Sequence, residues 1–135
     1  MGNQCVLVVD DDPAIRLLCA IHLELAGLAV IEAKDGRDAL ARARSSLPDL
    51  VLTDVGMPRL DGFQLADALR RDARTRTIPL VFLSSEPSAA DRARAQILGA
   101  VAYLTKPFEP KALAALVADV VSRGRASTVD ALQSA

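Results

Sequence analysis

The chain has 135 residues, no tryptophan, one tyrosine and three phenylalanines, so aromatics make up 3% of a sequence that is 51% apolar. Its core must therefore be built from Leu, Val, Ile and Ala. Cysteine is scarce too. Cys5 and Cys19 form neither a metal motif nor a disulfide framework, and both read as small core residues of a cytosolic protein. Charge of one sign is also missing. Sixteen basic against seventeen acidic residues leave a net charge of −1, which excludes a strong basic field for nucleic acid or an anionic membrane. No apolar run reaches the ~18 residues that cross a bilayer. The opening MGNQC lacks the charged and apolar regions of a signal peptide. It touches the myristoylation pattern, but Val6 stands where Ser or Thr is required, and the segment is needed for a first strand. Histidine occurs once: His22 has no acidic or basic partner in sight and reads as a partly buried helix residue.

What is present is an alternation. Short hydrophobic runs at 5–9, 28–31, 50–53, 80–83 and 101–105 lack strict polar alternation, as expected of strands covered on both faces. Between and after them lie stretches of helical period at 14–26, 36–44, 63–71, 89–98 and 110–122. Gly27 and Gly99 sit where helix C-caps are expected, and Pro13 and Pro110 at first-turn positions. Repeated βα units with short connections imply one doubly wound parallel sheet in a single α/β domain.

Four of the runs, VLVVDDD, LVLTD, PLVFLSS and VAYLTKP, end in polar residues: Asp10 and Asp11, Asp54, Ser84, and Lys106. In an open parallel sheet the carboxyl edge is where sites form. Three carboxylates there repel one another unless a cation sits among them, and a hard oxygen-binding ion such as Mg2+ fits. Asp11 and Asp54 are its candidate direct ligands, with a backbone carbonyl and waters completing the set. Asp12 has an alternative role as the N-cap of the first helix. Asp54 precedes VGMPRLDG, a tight loop that exposes its carboxylate. It is either a turn residue or a nucleophile able to form an aspartyl-phosphate. Ser84 (or its neighbour Ser85) can donate to a phosphoryl oxygen, and Lys106, before Pro107, can pair with carboxylate and phosphate.

VLVVDDDPAIR, LVLTDVGMPRLDG, PLVFLSS and GAVAYLTKPF, with their spacing over residues 4–123, resemble the response-regulator receiver domain of two-component signalling, in its single-domain, chemotaxis-regulator-like form. The resemblance implies a flavodoxin-like fold with strand order 2-1-3-4-5 and five flanking helices. It makes Asp54 the phosphoacceptor, Asp11 a direct Mg2+ (or Mn2+) ligand, Asp10 a ligand through water and the Gly56 carbonyl the backbone ligand. Ser84 becomes the switch hydroxyl, Tyr103 the switch aromatic and Lys106 the phosphate-binding lysine. It further implies a phosphohistidine donor on a histidine kinase or phosphotransfer protein, a downstream protein target, no direct nucleic-acid contact, no membrane insertion and a cytoplasmic setting. Its catalysis is limited to its own phosphorylation and dephosphorylation. Residues 1–123 form the receiver, and 124–135 a tail or linker stub without an output domain.

The chain departs from that pattern in places. Val101 and Ala102 stand where transcriptional receivers carry an acidic pair. Gly56 and Glu86 occupy positions that tune acyl-phosphate hydrolysis in the family. Tyr103 could instead be packed at a strand edge. In the first helix Leu18, Cys19 and Leu23 can face the sheet, while Leu17, Ile21 and Leu25 form a second apolar stripe. Covered either by a neighbouring helix or by a partner, that stripe joins Ile15 and Leu18 as a candidate docking surface. The competing enzyme reading is an aspartate-nucleophile phosphatase of haloacid-dehalogenase type, which also places Asp-x-Asp after its first strand. It requires neither Asp54 nor the Lys106–Pro107 pair. A flavin carrier shares the fold, but three aspartates at the first loop would repel its phosphate.

Overall fold

The computed structural model describes residues 4–85 and 88–134, with side chains through residue 123. Five strands and five helices alternate along the described chain: β1 (Cys5–Val9), α1 (Pro13–Leu25), β2 (Ala29–Ala33), α2 (Gly36–Ser46), β3 (Leu50–Asp54), α3 (Gly62–Arg71), β4 (Leu80–Ser84), α4 (Ala89–Ile97), β5 (Ala102–Thr105) and α5 (Pro110–Ser134). The strands form one parallel sheet in the order β2-β1-β3-β4-β5, the order the resemblance implies. Sequence change at β1, with β2 on one side and β3 on the other, leaves a crevice at the carboxyl edge between β1 and β3.

The central strands are buried on both faces because alternate residues serve two separate cores. Val6 and Val8 of β1, Leu50 and Leu52 of β3, and Val81 and Leu83 of β4 pack with Cys19 and Leu23 of α1 and with Leu113 and Val117 of α5. Leu7, Val9, Val51, Leu80 and Phe82 face the other way, onto Ala39 and Ala43 of α2, Phe63 and Leu65 of α3, and Ala95 of α4. This explains the continuous apolar runs without alternation.

Helix starts are fixed by side-chain caps. Asp12 is the N-cap of α1 and accepts from the Ala14 N–H at 2.9 Å, with Pro13 at the first helical position. Gly27 and Gly99, just past the ends of α1 and α4, both take the left-handed backbone that spares glycine a steric cost. Several boundaries differ from the sequence expectation. Asp54 and Ser84 are the last residues of their strands, because the ladders continue through Asp54↔Leu83 and Ser84↔Thr105. β2 extends to Ala33, which pairs with Val9. α5 continues past the expected end at 122 to Ser134, since Gly124 lowers helix propensity without stopping a helix.

Two expectations about α1 are corrected. Leu18 does not face the sheet: the sheet side carries Cys19, Ala20 and Leu23, and Leu18 is turned outward. Ile15, placed one turn before Cys19 on that inner face, packs against the core and does not belong to the outer stripe. Leu17, Ile21 and Leu25 are 55%, 46% and 78% exposed, so no neighbouring helix covers them.

Candidate functional site

Strand register assembles the site. Val9 lies opposite Thr53, so Asp10 and Asp54 emerge side by side. Leu83 lies opposite Asp54 and Ser84 opposite Thr105, which carries Ser84 and then Lys106 one residue further at each step across the sheet. The Lys106 N–H donates to the Ser84 carbonyl at 2.8 Å and locks this stagger. The Lys106–Pro107 peptide bond is cis.

Asp10 and Asp54 are buried at 1% and 6% exposure, whereas Asp11 is exposed. Ligand atoms of all three carboxylates lie within 4.8 Å of one another. Lys106 Nζ sits 3.1 Å from Asp10 Oδ2 and 3.1 Å from Asp54 Oδ1. One ammonium thus faces three carboxylates, so the cluster keeps an excess of negative charge. Burial pushes the Asp10 carboxyl above the usual carboxylate range, and the nearby Asp54 adds to this; the Asp12 N–H and Lys106 oppose it. For Lys106, burial alone would lower the pKa, but the Asp10 and Asp54 carboxylates outweigh it and raise the value. A set of clustered carboxylate oxygens with an open side matches the oxygen-donor demand of a hard divalent cation, so the residues fit the metal.

The loop after β3 is drawn tight. The Val55 carbonyl accepts from the Met57 N–H at 3.1 Å and the Gly62 N–H at 3.0 Å. Gly62 backs directly onto the Asp54 and Val55 main chain, leaving no room for a Cβ. Gly56 is the reverse case: a Cβ there would meet nothing within 4 Å. Beside it a cavity of about 320 Å³ is lined by Asp54, Val55, Gly56, Ser84, Ser85 and Asp91. Ser84 is buried at its floor and Ser85 is exposed, which favours Ser84 as the hydroxyl donor. Glu86 lies outside the described residues.

Tyr103 stands apart from the carboxylates, on the α4 side of β5. Its ring centroid is 6.3 Å from that of Phe82, and the Arg92 guanidinium lies 5.1 Å above it. The hydroxyl is buried without a partner among the described residues. Tyr103 lines a cavity of about 580 Å³ with Ala89, Arg92, Gln96 and Val101. The Cys19 thiol is pushed up to about 12, first by burial and then by Asp10, which suits a core residue; Cys5 is only partly buried. His22 is half-buried in α1, as expected.

Sequence reasoning missed two residues near the site. Arg16 donates to the Asp10 main-chain carbonyl at 2.8 Å and pairs with Glu32 of β2 at 3.1 Å, holding the start of the acidic loop. Its signal was present as a cation one turn after the acidic run. Asp91, on the cavity wall, had none, because acidic residues in a first helical turn are ordinary dipole complements.

A doubly wound α/β domain with an acidic carboxyl-edge cluster, a strand-end hydroxyl and a bridging lysine defines a class of phosphoryl-accepting signalling folds. The family model for the response regulator receiver domain matches residues 6–118, and the chain belongs to that family, the receivers of two-component response regulators. It is 41% identical over 118 residues to the DNA-binding regulator RpaA of Synechocystis sp., covering 87% of this chain and 49% of that protein. It is 38% identical to PilG of Pseudomonas aeruginosa, covering 80% of each. Among solved structures, chemotaxis protein CheY4 of Vibrio cholerae superposes with a TM-score of 0.82 at 34% identity, covering 88% of this chain and 99% of that one. The chain spans about half the length of RpaA and of the ycf27 regulators of Guillardia theta and Porphyridium aerugineum. None of these similarities supports the dehalogenase-type alternative. Among the described residues no helix is long and apolar enough to cross a membrane.

The burial of Asp10, only partly offset by the Asp12 N–H and Lys106, yields a prediction. A carboxyl whose folded pKa is raised holds its proton in the native state where the unfolded chain has released it. Stability is therefore lost as pH rises from about 3.9, the ordinary value, through the raised one. Without divalent cations, Asp10→Asn is expected to raise Tm at neutral pH, with the gap closing toward pH ~4. Thermal melts in a chelator across that range check it. A variant less stable at every pH would mean that the Lys106 pairing outweighs the burial.

Proposed function

We propose that this domain takes a phosphoryl group on Asp54 from the phosphohistidine of a histidine kinase or phosphotransfer protein, and that the change alters which protein it binds. The observation that carries this is Lys106 bridging Asp10 and Asp54 at 3.1 Å each, beside an open cavity. An Asp54 oxygen forms a bond to phosphorus, the phosphorus–nitrogen bond breaks, and the donor's ring, protonated on its other nitrogen, leaves as neutral imidazole. Phosphoryl transfer of this kind depends on positioning and charge neutralisation more than on acid or base groups. Lys106 gives up part of its contact with the carboxylates to meet the incoming phosphoryl oxygens, and Ser84 donates to one of them. Mg2+ would be held by Asp11, Asp54 and the Gly56 carbonyl, with Asp10 acting through water; Mn2+ satisfies the same donors, and either supplies positive charge to the phosphoryl oxygens.

The readout is the face of α4, β5 and α5. Movement of Ser84 toward the phosphoryl group frees space on the α4 side of β5, where the Tyr103 ring can take up a second position. The unpartnered Tyr103 hydroxyl favours such a change, since any rearrangement that gives it a partner recovers the cost of leaving it buried, roughly 1–3 kcal/mol. The receiver unit is residues 1–123, and residues 124–135 lie beyond it. With a net charge of −1 the domain acts through protein contacts in the cytoplasm and supplies no nucleic-acid contact of its own.

The donor docks on α1. This helix begins immediately after the acidic loop, so a protein that brings phosphohistidine to Asp54 must cover it. Leu17, Leu18 and Ile21 present an exposed apolar stripe there, suited to the apolar side of a helical bundle.

Incubation with Mg2+ and acetyl phosphate, followed by intact-mass measurement, is expected to give one phosphate adduct that Asp54→Asn abolishes. An adduct retained in Asp54→Asn would overturn the assignment of the acceptor. Leu17→Glu combined with Ile21→Glu is expected to slow transfer from the kinase at least tenfold while leaving the acetyl phosphate reaction unchanged, because truncated interface anchors cost about 1 kcal/mol or more each. Equal kinase transfer to both proteins would remove α1 as the docking surface.

A further inference from the structure

We propose that Asp91 selects the phosphoryl donor, favouring donors whose leaving group is a protonated nitrogen over acyl phosphates, whose leaving group is an anion. The inference rests on Asp54 being the acceptor and concerns the cavity beside it.

In-line displacement puts the leaving atom on the side of phosphorus opposite the attacking oxygen. For attack by Asp54 that side is the cavity lined by Asp54, Val55, Gly56, Ser84, Ser85 and Asp91. Gly56 contributes no side chain, and the space next to its Cα is open, so position 56 does not shield the leaving group. Among the described residues, Asp91 is the charged group that α4 adds to this wall. It is half-buried in the first turn of α4, where its N–H donates to Ser88 Oγ at 3.0 Å and fixes the local backbone. Among the described residues its carboxylate enters no salt bridge.

The nearby cations are engaged elsewhere. Arg92 lies 5.1 Å over the Tyr103 ring and Arg94 lies 4.8 Å over the Phe63 ring. Lys106 is held by Asp10 and Asp54. Among the described residues the cavity is thus lined by two carboxylates and two hydroxyls, with no cationic side chain. A protonated imidazole or ammonium leaving group is attracted by Asp91, which keeps the proton on nitrogen while the phosphorus–nitrogen bond breaks. The nitrogen departs as the neutral amine, and the phosphoryl group is joined to the Asp54 oxygen. With acetyl phosphate the phosphorus–oxygen bond breaks to release acetate, and its developing negative charge is repelled.

The test compares two small donors, phosphoramidate and acetyl phosphate, on wild type, Asp91→Asn and Asp91→Glu, following the Asp54 adduct by intact mass with Mg2+ present. Asp91→Asn should shift the ratio of rates toward acetyl phosphate by about tenfold at low salt. The shift should shrink toward unity near 1 M salt, where the screening length falls to about 3 Å. Asp91→Glu, which keeps the charge, should hold the wild-type ratio. An unchanged ratio in Asp91→Asn on a protein that does take phosphate would overturn the inference alone, as would equal shifts in the Asn and Glu variants. No adduct on folded wild type from either donor would overturn the phosphoacceptor reading, and this inference with it.

Discussion

Electrostatic repulsion among Asp10, Asp11 and Asp54 is the constraint on which the rest of the site depends. Strand register forces their oxygens within 4.8 Å of one another at the carboxyl edge, and two of the three residues are buried. Lys106 offsets part of that repulsion with two contacts of 3.1 Å. One cation cannot neutralise three anions, so the edge is held ready for further positive charge. Such an arrangement costs stability in the free protein and is retained for what it binds. The surrounding devices all serve to hold it in place. Arg16 fixes the Asp10 carbonyl, Gly62 backs the Asp54 main chain, and the Lys106 N–H ties β5 to β4 at Ser84.

That charge balance also links the site to the distant face. Ser84 ends β4 on the same face as Phe82, which packs beside Tyr103 of β5, and Lys106 directly follows β5. On the proposed transfer, a group arriving at Asp54 competes for Lys106 and draws on Ser84. The strand ends therefore feel the change first, and the packing of Tyr103 beneath Arg92 follows. On that reading Tyr103, whose hydroxyl is buried and without a partner among the described residues, has reason to adopt a second position.

Much of this was legible in the sequence because strand ends are written in residue type. Apolar runs that stop at Asp10, Asp54, Ser84 and Lys106 mark both the sheet and its functional edge, and the parallel order brings those ends together. The strand order itself came from the resemblance and not from residue patterns. What could not be read was helix orientation at fine scale. Apolar residues surround most of α1, so the sequence turned Leu18 toward the sheet and Ile15 toward the outer stripe; packing against β1, β3 and α5 places Ile15 inward and Leu18 outward. Nor could it place Asp91 on the cavity wall, because that depends on how α4 sits across the sheet from Gly56.

Everything in the site turns on the carboxylate cluster taking a divalent cation. The most direct test is thermal melting of wild type and Asp11→Asn in increasing Mg2+ at fixed ionic strength. A ligand that binds only the native state raises Tm with concentration in the manner set by its affinity. A progressive rise in wild type and a nearly flat response in Asp11→Asn are expected. Equal responses in the two proteins, or none in wild type at millimolar Mg2+, would contradict it.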